Sequence, residues 1–386
     1  MTDPLRLLDI PSIVPPEERD IQETVAKFAE DRLRPGIREW YESGEFPREL
    51  AREFGKLGVL GMHLDGHGCA GVSALGYGLA CLELEAADSG FRSFVSVQGS
   101  LAMYSIHRYG SDEQKAEWLP RMAAGGAIGC FGLTEPDFGS DPGGMRTRAV
   151  RDGDDWVLDG SKMWITNGSI ADVATVWART EDGIRGFLVP AGTPGFTARS
   201  LGHKLSLRAS VTAELVFDGV RLPGSALLPL ARGLSAPLSC LNEARFGILF
   251  GAVGAARDSI ECALGYAKTR TQFGKPIAGF QLTQRKLADM AVSVNCAMLL
   301  ALHLAGLKDR GTIRGEQISA GKLNNVREAL AIARECRTVL GGSGITTEYA
   351  PLRHANNLES VLTYEGTSEV HTLVLGQALT GIPAYR

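Results

Sequence analysis

The spacing of apolar residues in this 386-residue chain changes period twice. That change restricts the possible folds more than any single motif does. From 17 to 128 the period is helical. Ile21, Val25, Phe28 and Leu33 follow one face and predict a helix over 17–33. Pro35, which lacks an N–H, is expected to end it. Residues 47–57 read as a short helix opened by its proline. The pattern continues over 72–87 and 92–109, with breaks expected at Gly90 and Gly110. From 129 to 235 short β-branched and aromatic runs alternate with turn clusters. Residues 156–158 precede a turn at Asp159-Gly160, and 162–166 precede one at Asn167-Gly168. Further runs occupy 173–178, 186–189 and 212–217. Strand-length runs at this spacing predict a β-barrel or sandwich, and the lack of helices between them argues against a parallel βαβ sheet. From 236 the helical period returns in longer pieces. Leu287, Met290, Val294, Met298 and Leu302 form a stripe within 282–307, and 316–340 is similar. Such lengths suit a helix bundle.

The expected fold class is multidomain α+β: an N-terminal helical domain (1–128), a central β domain (129–235) and a C-terminal helix bundle (236–386). A β unit between two helical units leaves clefts at its junctions, where cofactor sites form. The net charge of -4 carries no basic nucleic-acid footprint, and dispersed basic residues give no membrane-surface patch. No uninterrupted run of about 18 apolar residues marks a membrane span. The seven cysteines are scattered with no CxxC pair, which excludes a metal knuckle of that type and suits a reducing cytoplasm. No metal site is expected.

The common chemical motifs are missing or misplaced. One GxGxxG occurs at 66–71, but in helical texture with no βαβ unit around it, so it reads as a glycine-rich loop. The glycines at 247, 251 and 254 read as close helix packing. There is no P-loop, no HExxH and no serine nucleophile elbow.

Other segments, taken together, are specific. GLTEPDFGSD at 132–141, GSKMWITN at 160–167, RTQFGKP at 270–276, LGGSGI at 340–345 and YEGT at 364–367 resemble the acyl-CoA dehydrogenase family, in family order and over essentially the whole chain. GCAGVS at 68–73, ELEAADSGFRS at 83–93, KLSLRAS at 204–210 and RHANNLE at 353–359 resemble its glutaryl-CoA branch. The resemblance implies a four-helix C-terminal bundle, an FAD cofactor and α,β-dehydrogenation of an acyl-CoA thioester. In that reaction a base removes the α-proton while a hydride leaves Cβ for the flavin. A backbone N–H near the base and the ribityl 2′-hydroxyl stabilise the thioester oxygen.

By the same resemblance Glu365 is the base; on its residues alone it reads first as a helix-capping glutamate before Gly366-Thr367. Leu133, Thr134, Trp164 and Thr166 match flavin contacts, and Ser140 a polar contact to FAD or the CoA arm. Arg270 and Phe273 match residues that reach the FAD of a neighbouring subunit. Gly341 and Gly342 match a close approach to its ADP moiety, Gln281 and Thr367 polar FAD contacts, and Arg245 a CoA-arm contact. Thr338 stands where the wider family often has glutamine. Arg92 matches the group that receives a distal substrate carboxylate, supported by Glu85, Ser93 and Tyr364; without the resemblance it reads as a surface arginine paired with Asp88. The branch further implies decarboxylation to crotonyl-CoA and CO2, an electron-transferring flavoprotein as acceptor, and a homotetramer. Dehydrogenation of another acyl-CoA or acyl-carrier-protein thioester, or non-redox proton chemistry at Glu365, are the alternatives.

Overall fold

The computed structural model describes residues 3–384. Helices α1 (Pro16–Phe28), α2 (Arg34–Ser43) and α3 (Leu50–Leu57) open the chain. Pro35 does not end the first of them, contrary to expectation. The backbone widens into a π-helical stretch, Ala29–Leu33, and restarts as α2 with the proline in its first turn. A first-turn proline needs no intrahelical N–H partner, and the wider turn removes its clash with the preceding carbonyl. A two-strand hairpin follows, β1 (Asp65–Gly66) and β2 (Cys69–Ala70); it is the glycine-rich loop expected of the GxGxxG segment.

Helix α4 (Ala74–Ala87) begins at the Ser73 cap, whose hydroxyl accepts from Gly76 N–H at 3.0 Å. The break before the next helix falls at Asp88, which is extended and accepts from Gly90 N–H at 2.7 Å. Gly90 itself lies inside α5 (Ser89–Ser96), not at a break. The helical pattern over 92–109 is realised as α5, a π-helical stretch Val97–Met103, and α6 (Tyr104–Tyr109). Helix α7 (Asp112–Ala123) carries a capping box from Ser111 and Gln114.

The middle of the chain is one seven-stranded sheet, with strands β3 (Gly129–Gly132), β4 (Arg148–Asp152), β5 (Asp155–Thr166), β6 (Val173–Thr180), β7 (Gly183–Pro190), β8 (Phe196–Ser200) and β9 (Thr212–Leu222). Their order is β3-β6-β4-β5-β9-β8, with β7 on β6. Most pairs are antiparallel; β6 meets β3 and β4 in parallel. Asp159-Gly160 is not a turn but an interior point of β5. Gly160 has φ +140, and a Cβ there would lie 2.7 Å from the Thr147 backbone. Pairing with β9 shifts register at this point, so the glycine marks a bulge. Alternate residues of β6 and β7 enter different cores. Val173, Trp177, Ile184 and Leu188 pack toward the helices, whereas Ala174, Val176, Phe187 and Val189 fill the sheet's own core.

Helix α8 (Ser235–Thr269) leads to the hairpin β10 (Thr271–Gln272) and β11 (Lys275–Pro276). Then come α9 (Gln281–Asp309), α10 (Gly315–Val339), α11 (Ala350–Thr363) and α12 (Ser368–Thr380). Helix α8 packs against α4 through small residues. A Cβ on Gly254 would stand 1.9 Å from the Leu82 carbonyl oxygen and one on Gly247 2.8 Å from the Tyr77 hydroxyl. This contact merges the N-terminal helices and the bundle into one apolar core. By length and composition α9 could cross a membrane, with a mean hydropathy of 1.8 over its best window, which corrects the expectation that no such stretch exists. Small and isolated polar residues interrupt its apolar runs without lowering the mean. In the fold it lies against α8 and α10, with Asn295 buried and hydrogen-bonded.

Candidate active site

The corner where α4, α5, α8, α10 and the α11–α12 loop meet holds a cluster of buried charge. Glu85 and Arg92 are both fully buried, Arg92 Nε donating to Glu85 Oε2 at 2.6 Å. Ser89 Oγ donates to the other Glu85 oxygen at 2.8 Å. Space for the pair comes from Gly251 on α8, where a Cβ would lie 2.0 Å from Glu85 Oε2. Arg92 Nη2 hydrogen-bonds the Tyr364 hydroxyl, Ser93 Oγ lies 3.4 Å from that hydroxyl, and Arg92 Nη1 is buried without a partner. Burial alone would lower the Arg92 pKa, but Glu85 and Tyr364 raise it well above its ordinary value. The surface pairing with Asp88 is ruled out: Asp88 is bonded to Arg353 and Asn357.

Tyr364 and Glu365 follow directly on α11. Glu365 has φ +53 and Gly366 φ +100, so two successive left-handed residues turn the chain before Thr367 caps α12 by accepting from Val370 N–H at 3.3 Å. Glu365 is half-buried, and its Oε2 is shut from solvent with no hydrogen-bond partner. Burial pushes its carboxyl pKa up, while Arg92, Lys322 and Arg245 pull against that rise without cancelling it. Burial likewise pushes the Tyr364 hydroxyl up to about 12. Desolvation of this kind makes a carboxylate more basic, the direction a proton acceptor requires. Arg245 does not reach outward with all its donors: Nε bonds the Glu365 carbonyl at 2.6 Å and Nη1 bonds Asn242 at 3.1 Å.

The residues matched to flavin contacts lie on the β domain near one another. The Met163 N–H donates to the Thr134 carbonyl at 2.8 Å, which brings the segment of Leu133 and Thr134 beside Trp164 and Thr166. Leu133 is buried, whereas Trp164 is 64% exposed at φ +63. Two residues the sequence reading passed over anchor this segment. Lys162 Nζ is buried and donates to Glu135 at 2.8 Å and to the Leu133 carbonyl at 3.2 Å. Glu135 also accepts from the backbone N–H groups of Arg146 at 2.6 Å and Thr147 at 2.9 Å. Ser140 is exposed on the loop that these contacts tether. Arg270, Phe273, Gln281, Gly341 and Gly342 all lie on the surface. Phe273 is 95% exposed at φ +51, at the tip of the β10–β11 hairpin. A Cβ added at Gly341 or Gly342 would meet nothing within 4 Å.

Residues 15–126 match the acyl-CoA dehydrogenase N-terminal domain, 130–220 its middle domain and 231–380 its C-terminal domain. The chain belongs to the acyl-CoA dehydrogenase family. Human mitochondrial short-chain specific acyl-CoA dehydrogenase (Homo sapiens) is 37% identical over 369 residues, covering 94% of this chain and 90% of that protein. A solved glutaryl-CoA dehydrogenase from Mycobacterium smegmatis, in complex with FADH2, is 70% identical with a TM-score of 0.99 over 100% of both chains. Butyryl-CoA dehydrogenase from Megasphaera elsdenii is 33% identical with a TM-score of 0.90, over 95% of this chain and 98% of that one.

As an acyl-CoA dehydrogenase the protein is an oxidoreductase, and the structure adds residues that motif reading did not supply. Lys322 on α10 is 1% exposed and bonds the carbonyls of Tyr364 and Gly366. His371 on α12 is buried against the same turn, its pKa lowered to about 3 by burial and by Lys322 and Arg245. Lys322 has the one signal available in sequence, a lysine on the apolar face of a long helix.

Proposed function

We propose that the protein is an FAD-dependent glutaryl-CoA dehydrogenase that releases crotonyl-CoA and CO2. The substrate reading is carried by Arg92, a fully buried arginine beside the candidate base with Nη1 unclaimed. A methyl-ended acyl chain leaves that donor unsatisfied, which is costly in a dry pocket. A chain ending in a carboxylate satisfies it with a charge-assisted bond.

Glu365 accepts the α-proton of the thioester. FAD, when bound, would supply the hydride-accepting chemistry and a hydroxyl donor for the thioester. The chain's surfaces fit such a group. Trp164 offers an exposed flat ring, Phe273 a second one at a hairpin tip, and Gly341 and Gly342 an open backbone approach. Arg270, Gln281, Thr134, Thr166 and Thr367 are the proposed polar contacts, with Leu133 packing at the ring edge. In the decarboxylating step Arg92 orients the distal carboxylate. The bond to CO2 breaks, its electron pair enters the conjugated thioester, and protonated Glu365 returns its proton to the γ-carbon. An electron-transferring flavoprotein is the proposed acceptor. A homotetramer is the proposed assembly, in which a neighbouring copy would cover the exposed Phe273 ring.

Product analysis after incubation with glutaryl-CoA and an artificial acceptor tests this reading. Crotonyl-CoA with equimolar CO2 is expected. Accumulating glutaconyl-CoA would remove the decarboxylation, and no oxidation at all would remove the substrate. Arg92→Ala should lower turnover of glutaryl-CoA far more than turnover of butyryl-CoA.

A further inference from the structure

Three consecutive carbonyls at the base, those of Tyr364, Glu365 and Gly366, accept from cationic side chains. Lys322 Nζ takes the first and the third, the third at 2.7 Å, and Arg245 Nε takes the second at 2.6 Å. Lysine is seldom buried without an acidic partner, yet the hydrogen bonds of this one go to carbonyl oxygens. A neutral amide or hydroxyl would stitch the same loop without the desolvation penalty of a charge. Burial lowers the Lys322 pKa to about 7 while Glu365 pulls it back up, and in its protonated form the amine adds a positive field around the unpartnered Glu365 Oε2.

We propose that Lys322 is a positioning residue for proton abstraction: by holding the Tyr364 carbonyl it turns the Glu365 N–H toward the substrate thioester oxygen, and its charge favours the carboxylate form of the base. The proposal rests on Glu365 being that base. In a trans peptide the C=O and the following N–H point in opposite directions, and no cis peptide occurs among the described residues. The Glu365 N–H therefore faces away from Lys322, and the Gly366 N–H away from Arg245. The left-handed conformations at 365 and 366 keep these planes apart from any helical continuation. The charged and titratable groups around Glu365 are Arg92 from α5 with Glu85 from α4 behind it, Arg245 from α8, Lys322 from α10, Tyr364 in the loop, and His371 from α12. His371 Nε2 lies 2.8 Å from where a Cβ on Gly366 would stand. Of these, Arg92, Lys322 and Arg245 oppose the burial-driven rise of the Glu365 pKa. Removing the lysine charge lets that pKa rise further.

The test is the pH dependence of kcat and kcat/KM for glutaryl-CoA in the FAD-loaded variants Lys322→Met, Lys322→Gln and Lys322→Arg. Lys322→Met should lower kcat by about 10²-fold, the usual effect of losing one oxyanion-stabilising arrangement, with a smaller change in KM. Its acid limb should move to higher pH. Lys322→Gln keeps a donor for the carbonyls, so it should recover part of kcat while retaining the shifted limb. Lys322→Arg should return the limb to the wild-type position. A wild-type limb in Lys322→Met or Lys322→Gln, with loss confined to the thermal midpoint, would overturn the proposal and leave Lys322 as a loop anchor only. If Lys322→Met does not fold, the limb of Lys322→Gln decides the matter alone. Wild-type activity in Glu365→Gln would instead remove the base assignment, whatever Lys322 does.

Discussion

Around Glu365 the charged groups are held by the chain's own contacts, whereas the surfaces matched to the flavin stand open. Arg92, Glu85, Lys322 and Tyr364 bond to one another or to backbone carbonyls in a buried corner. Trp164 and Phe273 are 64% and 95% exposed, and Gly341 and Gly342 have open space before them. The contrast separates two tasks. Proton transfer depends on groups fixed before the substrate arrives, because reorganising them during reaction would raise the barrier. Cofactor-holding residues need only present a flat or narrow surface, which the ligand completes.

Glu365→Gln challenges the contrast most severely. Turnover of glutaryl-CoA should fall by about 10²–10⁴-fold, the usual contribution of a general base. Stability at neutral pH should rise, not fall. The folded-state pKa of this carboxyl lies above its unfolded value, so the ionised form opposes folding, and that opposition fades as the pH drops through the folded pKa. For the same reason the acid limb of wild-type kcat/KM should lie above the ordinary carboxylate range. Equal activity across that range would break the account of a buried base.

Arg92→Ala should lower unfolding free energy by about 3–5 kcal/mol, because Glu85 is left charged and buried. The double replacement of Glu85 and Arg92 by leucine should recover most of that loss in chemical denaturation. Gly251→Ala should cost about 1–3 kcal/mol by overpacking, since its Cβ would stand 2.0 Å from Glu85 Oε2. The smallest effect belongs to the open surfaces. Trp164→Ala and Phe273→Ala should change the stability of the FAD-free chain by no more than about 0.5 kcal/mol. Each should weaken FAD retention by about 0.5–1.5 kcal/mol, an aromatic-contact term. A large loss of FAD-free stability in either variant would place that ring in the folding core and erase the contrast.

The α, β and α zones were legible because the apolar period follows directly from helix and strand geometry. Local punctuation was less reliable. Pro35 and Asp159-Gly160 read as stops, yet the chain passes through both. A local π-helical widening absorbs the first, and a bulge against Thr147 in the pairing with the distant strand β9 absorbs the second. Motif resemblance singled out Arg92, Glu85, Ser93 and Tyr364, and the fold brings them into contact. It gave no role to Lys322, which bonds backbone carbonyls, or to Lys162 and Glu135, which pair with each other from separate segments and also bond backbone groups, contacts that no local side-chain pattern encodes.

Taken alone, the sequence determined the order of the three structural zones and the family motifs, since both are properties of residue type and spacing. Tertiary structure decided which charges are buried together. Glu85 and Arg92 are seven residues apart on adjoining helices, but their depth comes from α8 and its glycine at 251. Lys322 reaches the turn at 364–366 only because α10 packs beside it. Desolvation and charge pairing depend on everything within a few ångströms, and those neighbours come from segments far apart in the chain.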